Sequence, residues 1–306
     1  MELVDIRNVF HQKRSNLAFI IGNGVNRYQS TNTSASWKDL LLHLHYKVTG
    51  KRLTTIEDGI LYTEFYNLLL MDEKTVEMVR QEVIEFTKQH YHPSAYHQQL
   101  QKILMEWQVP VLTTNFDGCL EQGCTMYRMK KQGVGSERFT DYYPWETYFG
   151  KDELVHPLAG FGVWHINGMT RYKRSIKMSL TEYINQTARA RKFIHSNDKL
   201  MDFDNKNKPY WNGSNTWLHI LFNSNLCILG LGLDINETFL RWLMIERERY
   251  FRKFPARRKK GWYLYTKLDK MEDGKRMFLH STGFEEVLLN DYREMYEGIF
   301  VEEIWD

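Results

Sequence analysis

The chain has 306 residues, with 41 lysines and arginines against 38 aspartates and glutamates, so its formal net charge is +3. This near-balance argues against a protein dedicated to binding nucleic acid, because such proteins gain most of their affinity from clustered basic residues. Cys119, Cys124 and Cys227 are too few for a disulfide framework, and no two of them have the CxxC spacing of a structural zinc site. The N-terminus lacks the pattern of a signal peptide, and no apolar stretch approaches the length of a membrane helix. We therefore expect a cytoplasmic protein with no membrane segment and no direct contact with nucleic acid.

The first part of the chain predicts two buried strands separated by helices. Residues 17–21 form a short apolar run that ends in a Gly-Asn-Gly turn, which is typical of a strand leading into a tight loop. Ser36 precedes a run with helical spacing, and we expect it to cap that helix. Helical patterns continue over 56–90 and 94–107, and the apolar run 109–113 predicts the second strand.

The rest of the chain predicts further alternation of strands and helices. The aromatic and glycine-rich residues 124–162 lack a clean period and predict mixed strand and loop, whereas the polar residues 195–214 predict an exposed insertion. Strands are predicted at 161–166, 226–229 and 262–265, and helices at 179–193 and 236–251.

Short apolar strands that alternate with helices predict an α/β fold, in which a mostly parallel sheet is covered by helices on both faces. No period recurs along the chain, which excludes a repeat architecture. We expect one domain over residues 1–306, with a helical insertion at about 30–107 and a polar insertion at about 185–215.

The first candidate site is the turn Gly22-Asn23-Gly24 after the first strand. Glycines at this place allow backbone amides to approach a phosphate. The dinucleotide-binding fingerprint is incomplete, however, because Arg27 occupies its third glycine position and a helical segment follows instead of a second strand. A plain tight turn and a phosphate site therefore both remain open.

The second candidate site is the segment Thr113-Thr114-Asn115-Phe116-Asp117, which directly follows a buried strand. Small polar residues at the carboxyl end of a parallel strand lie where α/β sheets bind ligands. The alternative is that Asn115 or Asp117 only caps a following helix. The cluster of hydrogen-bonding side chains directly after the strand favours the binding interpretation.

Histidines and a second glycine turn give weaker signals. His90, His92 and His97 match no common zinc spacing, so we expect solvated or packing roles for them. His165 lies at the end of another predicted strand, where a lone histidine is more often structural. The turn at 230–234 follows a third apolar strand and indicates little by itself.

In their order along the chain, these motifs resemble those of the SIR2 family, specifically its bacterial NAD-consuming branch. The matching elements are the loop Gly22–Asn26, the TNxD-like Thr114–Asp117, His165 with Gly168, the helix start Ser179–Tyr183 and the turn Gly230–Asp234. The similarity spans residues 17–242. The chain departs from the family at Asn23 and Asn26, where Ala and Ser are usual, and at Leu233, where Ser is common. It also lacks the four cysteines of the sirtuin zinc module.

The resemblance implies a Rossmann-like, SIR2-like fold, NAD as the substrate and no metal. It assigns catalysis to Asn115, His165 and Asp117: the asparagine would hold a water or a ribose hydroxyl, the histidine would act as general base, and the aspartate would position the nicotinamide ribose or orient the asparagine. It assigns NAD contacts to Gly22, Asn23, Gly24, Val25, Asn26, Thr114, Gly230, Gly232, Leu233 and Asp234.

The function that the resemblance implies is hydrolysis of NAD to nicotinamide and ADP-ribose, in a bacterial antiphage (abortive infection) system that depletes NAD. Two other functions remain open: a protein deacylase or ADP-ribosyltransferase, and a non-catalytic module that senses NAD or ADP-ribose. An unrestrained NADase would kill its host, so we expect gating by a separate sensor or regulatory subunit or by homo-oligomerisation. The basic residues in 252–260 are either solvated surface or a docking surface for such a partner.

Overall fold

An eight-stranded sheet lies at the centre of the computed structural model, which describes residues 1–28, 36–129, 143–196, 199–200 and 211–300. The strands are Leu17–Ile21 (β1), Val111–Thr113 (β2), Thr125–Arg128 (β3), Thr147–Gly150 (β4), Val163–His165 (β5), His195–Ser196 (β6), Lys199–Leu200 (β7), Asn225–Leu229 (β8), Gly261–Thr266 (β9) and Phe284–Leu289 (β10). The large sheet has the order β10-β9-β8-β1-β2-β5-β4-β3, and β6 and β7 pair with each other. All neighbours from β10 to β5 are parallel, and β4 and β3 are antiparallel additions at one edge. The sheet is therefore mixed but mostly parallel.

Helices lie on both faces of this sheet, which confirms the α/β class. They are Leu3–Lys13 (α1), Gly24–Arg27 (α2), Trp37–Thr49 (α3), Tyr62–Leu69 (α4), Glu73–His90 (α5), Ala95–Glu106 (α6), Leu180–Ile194 (α7), Trp217–Asn223 (α8), Thr238–Lys253 (α9), Asp273–Ser281 (α10) and Tyr292–Tyr296 (α11). Within the described ranges, no helix is long and apolar enough to cross a membrane.

Strand β1 shows why the central strands are apolar throughout. Its side chains alternate between the two faces: Ala18 and Ile20 join the core that includes α7, α8 and α9, whereas Phe19 and Ile21 join the core that includes α1 and α6. All five residues of β1 are buried because both faces are covered. A third core joins α3, α4 and α5, which belong to the helical segment between β1 and β2.

Helix boundaries differ from the sequence predictions at two places. The predicted helix over 56–90 is wrong as one unit, because α4 ends at Leu69 and α5 begins after Asp72, whose side chain accepts a hydrogen bond from the Lys74 backbone at 3.0 Å. The polar insertion predicted from about 185 overlaps α7, which buries Ala190 and Ile194. The rest of that insertion falls mostly on residues 197–198 and 201–210, which lie outside the described residues. The predicted cap at Ser36 is confirmed, since its Oγ accepts a hydrogen bond from the Asp39 backbone at 3.2 Å.

Candidate functional site

A cavity of about 790 Å³ opens at the carboxyl ends of the central parallel strands. Many of the residues that line it follow four of these strands: 23–24 after β1, 114–117 after β2, 167 after β5 and 230–234 after β8. Strand β1 lies between β2 and β8. The helix that leads into β2 (α6) packs on one face of the sheet, and the helix that leads into β9 (α9) packs on the other. Ligands of α/β sheets bind at such a point, where the connections diverge.

The loop after β1 presses against the loop after β8. The Gly22 N–H donates to the Leu229 carbonyl at 3.0 Å, and the Gly24 N–H donates to the Gly230 carbonyl at 2.7 Å. A Cβ on Gly22 would lie 2.7 Å from the Gly230 carbonyl oxygen, and one on Gly24 would lie 2.7 Å from the Gly230 Cα and still closer to the Tyr296 hydroxyl. These glycines are therefore explained by close contact between two loops, whether or not a phosphate also binds there.

The turn after β8 has an unusual backbone. Gly230 and Leu233 both have positive φ, at 64° and 47°, and the second value is uncommon for a non-glycine residue. The Leu233 side chain is fully buried in the core, and its carbonyl accepts a hydrogen bond from Arg241 Nη1 at 3.0 Å. Gly232, Leu233 and Asp234 all line the cavity, but only Gly232 and Asp234 are exposed. A ligand can therefore meet this turn through Gly232, Asp234 and backbone atoms, whereas the Leu233 side chain is buried.

The segment after β2 places Asn115 at the cavity wall, as the sequence predicts. Thr113 Oγ1 donates to the Ile21 carbonyl at 3.0 Å and accepts from the Asn115 backbone N–H at 3.1 Å. The Asn115 Nδ2 donates to the Gly22 carbonyl at 3.3 Å, and the residue is only 7 % exposed. These contacts fasten the β2 segment to the first glycine loop. Thr114 also lines the cavity.

Asp117 is held by hydrogen bonds to both of its carboxyl oxygens. Oδ1 accepts from the Cys119 backbone N–H at 3.0 Å, and Oδ2 accepts from Asn26 Nδ2 at 2.8 Å. The Asn26 Oδ1 in turn lies 2.9 Å from His97 Nε2. Of these residues only Asp117 lines the cavity, so Asn26, predicted as an NAD contact, lies behind the wall. Val25, also predicted as a contact, is fully buried in the core.

The structure does not bring His165 to the cavity. Its side chain is 1 % exposed, with Nδ1 2.8 Å from the Asn115 carbonyl and Nε2 3.0 Å from Glu121 Oε1. Both partners accept hydrogen bonds, which matches a ring that donates from both nitrogens. Burial lowers the pKa of His165, but the charge and hydrogen bond of Glu121 and the Asn115 carbonyl outweigh it and raise the pKa above the ordinary value. Asn167, two residues later, does line the cavity.

The sequence predictions missed several ionisable side chains of the cavity, among them Glu237 and Lys275. Glu237 lies at the start of α9, where burial and the nearby Asp234 raise its pKa to about 8. Lys275 Nζ donates to the Gly232 carbonyl at 2.8 Å, and burial lowers the pKa of this amine. Glu237 follows β8 and Lys275 follows β9, but each comes several residues after its strand. The sequence therefore gives little indication that either side chain reaches the cavity.

The basic run at 252–260 is partly neutralised within the chain. Arg252 Nε and Arg258 Nη1 contact the two carboxyl oxygens of Glu248 at 2.9 and 2.8 Å, and Lys260 Nζ lies 3.2 Å from Glu285. This face therefore alternates in charge and is less basic than the run of residues suggests.

Among the described residues, no three His, Cys, Asp or Glu side chains lie together in a way that could hold a metal ion.

Comparison of the chain with models of known protein families gives no match, and comparison with curated protein sequences gives none either. A functional assignment for this chain therefore rests on its sequence motifs and on the geometry of the cavity.

Proposed function

We propose that this chain hydrolyses NAD to nicotinamide and ADP-ribose. One observation carries the proposal: motifs far apart in sequence, Asn23–Gly24, Thr114–Asp117 and Gly230–Asp234, line one cavity at the carboxyl ends of adjacent parallel strands. This is where α/β sheets bind nucleotides, and the same three motifs carry the resemblance to the SIR2 family. The cavity, at about 790 Å³, is within the usual size range of small-molecule sites.

The chemistry needs few catalytic groups. The bond between the ribose C1′ and the nicotinamide nitrogen breaks, the nicotinamide leaves as a neutral molecule, and positive charge develops on the ribose. A water oxygen then bonds to C1′ and releases a proton. Asp117, fixed by its two hydrogen bonds, supplies a carboxylate that stabilises this positive charge and can accept the proton. Asn115 supplies an amide that can hold a ribose hydroxyl or the water.

This mechanism gives His165 a different role from the one that the resemblance implies. A buried ring that already donates from both nitrogens cannot act as a base. Its bond to the Asn115 carbonyl instead fixes the backbone of the segment that carries Asn115 and Asp117.

The test is to incubate the purified full chain with NAD and to measure nicotinamide and ADP-ribose by chromatography. We expect both products in equal amounts, and loss of both with Asn115→Ala and Asp117→Asn. Asp152→Asn, at an exposed position away from the cavity, is the matched control. Failure to release nicotinamide under any condition, including with candidate partner proteins, refutes the proposal.

The position of His165 favours a second candidate function, which is binding of NAD or ADP-ribose without cleavage. Among the described residues, no histidine lines the cavity, and a site without such a base is compatible with a sensor. Calorimetric binding of NAD that leaves the dinucleotide intact after prolonged incubation would establish this alternative.

For the physiological role, we propose NAD depletion in antiphage defence, restrained by a partner subunit or by assembly of the chain itself. Support comes from the resemblance to bacterial NAD-consuming proteins. The test is to follow cellular NAD in a bacterial host that expresses the chain with and without its neighbouring gene. A lack of NAD loss in every infected and uninfected culture contradicts this role.

A further inference from the structure

We propose that His97 is a positioning residue, which orients the side-chain amide of Asn26 and through it the Asp117 carboxylate at the cavity wall. Its effect on catalysis rests on the proposed function, whereas the orientation itself rests on hydrogen-bond geometry. His97 belongs to α6, in the helical segment inserted between β1 and β2, so the inserted segment contributes to the site from behind.

The geometry fixes the tautomer of the His97 ring. The Ser94 backbone N–H, which can only donate, lies 3.1 Å from His97 Nδ1, so this nitrogen accepts and carries no proton. The ring proton of the neutral histidine is therefore on Nε2, which lies 2.9 Å from Asn26 Oδ1 and donates to it. Burial lowers the pKa of His97 against the opposing charge of Asp117, which keeps the ring neutral.

This donor decides which way the Asn26 amide points. With Oδ1 facing His97, Nδ2 is left to donate to Asp117 Oδ2 at 2.8 Å and to Asn23 Oδ1 at 3.0 Å. A flipped amide would place two donors face to face at His97 and two acceptors face to face at Asp117. The His97 donor therefore selects the one orientation in which the Asp117 carboxylate is held.

His97 is 1 % exposed, and Asn26 and Asp117 are each 7 % exposed. Water cannot easily replace a lost partner in such a place, so removal of the donor leaves buried polar atoms unpaired. The hydrogen bonds from His97 to Asp117 therefore couple the ring to the carboxylate even though His97 does not touch the cavity.

Two substitutions of His97 distinguish the role of Nε2 from that of Nδ1. Glutamine places its amide nitrogen near the position of Nε2 and keeps the donor to Asn26, whereas asparagine reaches only the position of Nδ1. We expect His97→Asn to lower kcat for nicotinamide release about tenfold or more with little change in KM, and His97→Gln to restore most of it. His92→Asn is the control, because His92 is exposed in the same segment and its ring contacts the Gln89 carbonyl, at 3.2 Å, rather than Asn26 or Asp117. Equal losses in His97→Asn and His97→Gln, or wild-type kcat in His97→Asn, overturn the proposal.

A second measurement does not depend on activity. In long-range ¹H–¹⁵N spectra of the full chain with labelled histidine, the signal that disappears in His97→Gln belongs to His97. At pH 7 we expect it to show the neutral ring with its proton on Nε2. A proton on Nδ1, or on both nitrogens, overturns the positioning role. If the wild-type chain releases no nicotinamide, the proposed function is refuted. The observed tautomer still tests whether His97 donates to Asn26 and orients its amide.

Discussion

The buried pair of His165 and Glu121 makes stability depend on pH in a predictable direction. Burial lowers the pKa of His165, but Glu121 and the Asn115 carbonyl raise it above the ordinary value of about 6.5. The protonated ring therefore stabilises the fold fully below pH about 6.5, and this contribution is lost as the pH rises through the folded pKa. In Glu121→Gln the counter-charge is gone, burial favours the neutral ring, and low pH becomes destabilising.

The size of the effect follows from the burial of the pair, since the His165 side chain is 1 % exposed and that of Glu121 is 10 % exposed. Removing one partner of such a pair costs about 3 kcal/mol or more, because it leaves a buried charge uncompensated. We expect Glu121→Gln to lower the free energy of unfolding by about 3 kcal/mol at pH 5.5. At pH 9 the loss is expected to be about 1 kcal/mol, the value of one neutral hydrogen bond.

The assay is urea unfolding followed by tryptophan fluorescence at both pH values, with wild type and variant compared at the same pH. Glu85→Gln is the control, because this carboxylate is exposed and its contacts with Lys88 (3.4 Å) and Gln81 (2.7 Å) lie at the surface. The control is expected to change stability by less than about 0.5 kcal/mol. Equal destabilisation by Glu121→Gln at pH 5.5 and pH 9, or a larger effect at pH 9, would refute a charged His165.

Three further predictions concern the cavity. Gly24→Ala should destabilise the fold by about 1–3 kcal/mol in urea unfolding, since the new methyl group overlaps Gly230, and unchanged stability would mean that the two loops can separate. Asp117→Asn should lower kcat about a hundredfold while circular dichroism stays native, because an amide cannot balance positive charge on the ribose; a smaller change in kcat than in KM would contradict this role. Glu237→Gln should raise the Tm relative to wild type at pH 9 but not at pH 5, because the partly buried carboxyl with a pKa of about 8 ionises only at the higher pH; an equal difference at both pH values would exclude ionisation as the cause.

Local patterns are sufficient to predict the framework of the sheet. Residues 17–21 form a strand in the structure as predicted, because an apolar run between helices has few alternatives to burial in a parallel sheet. The same rule predicts Asn115 and Asp117 at the cavity, since side chains that directly follow parallel strands meet at one edge.

Side-chain contacts between residues far apart in the sequence have no comparable signal. His97 meets Asn26 across 71 residues, and Glu121 meets His165 across 44. Neither pair belongs to a periodic pattern, so the sequence shows only isolated histidines. It predicts a solvated or packing role for the first, and the family resemblance predicts a catalytic role for the second. Which of them faces a ligand depends on side-chain direction at the ends of α6 and β5, and sequence spacing does not determine this.

The contact between Gly24 and Gly230 has a consequence for affinity. The two backbones are joined by a direct hydrogen bond that includes no ligand atom, so the two loops form one continuous surface at the base of the cavity. A dinucleotide that contacts both loops would not have to bring them together, so its binding free energy would not be reduced by the cost of that movement. Differences in affinity between related ligands should therefore arise from their contacts with the other residues of the cavity, and not from the cost of bringing these two loops together.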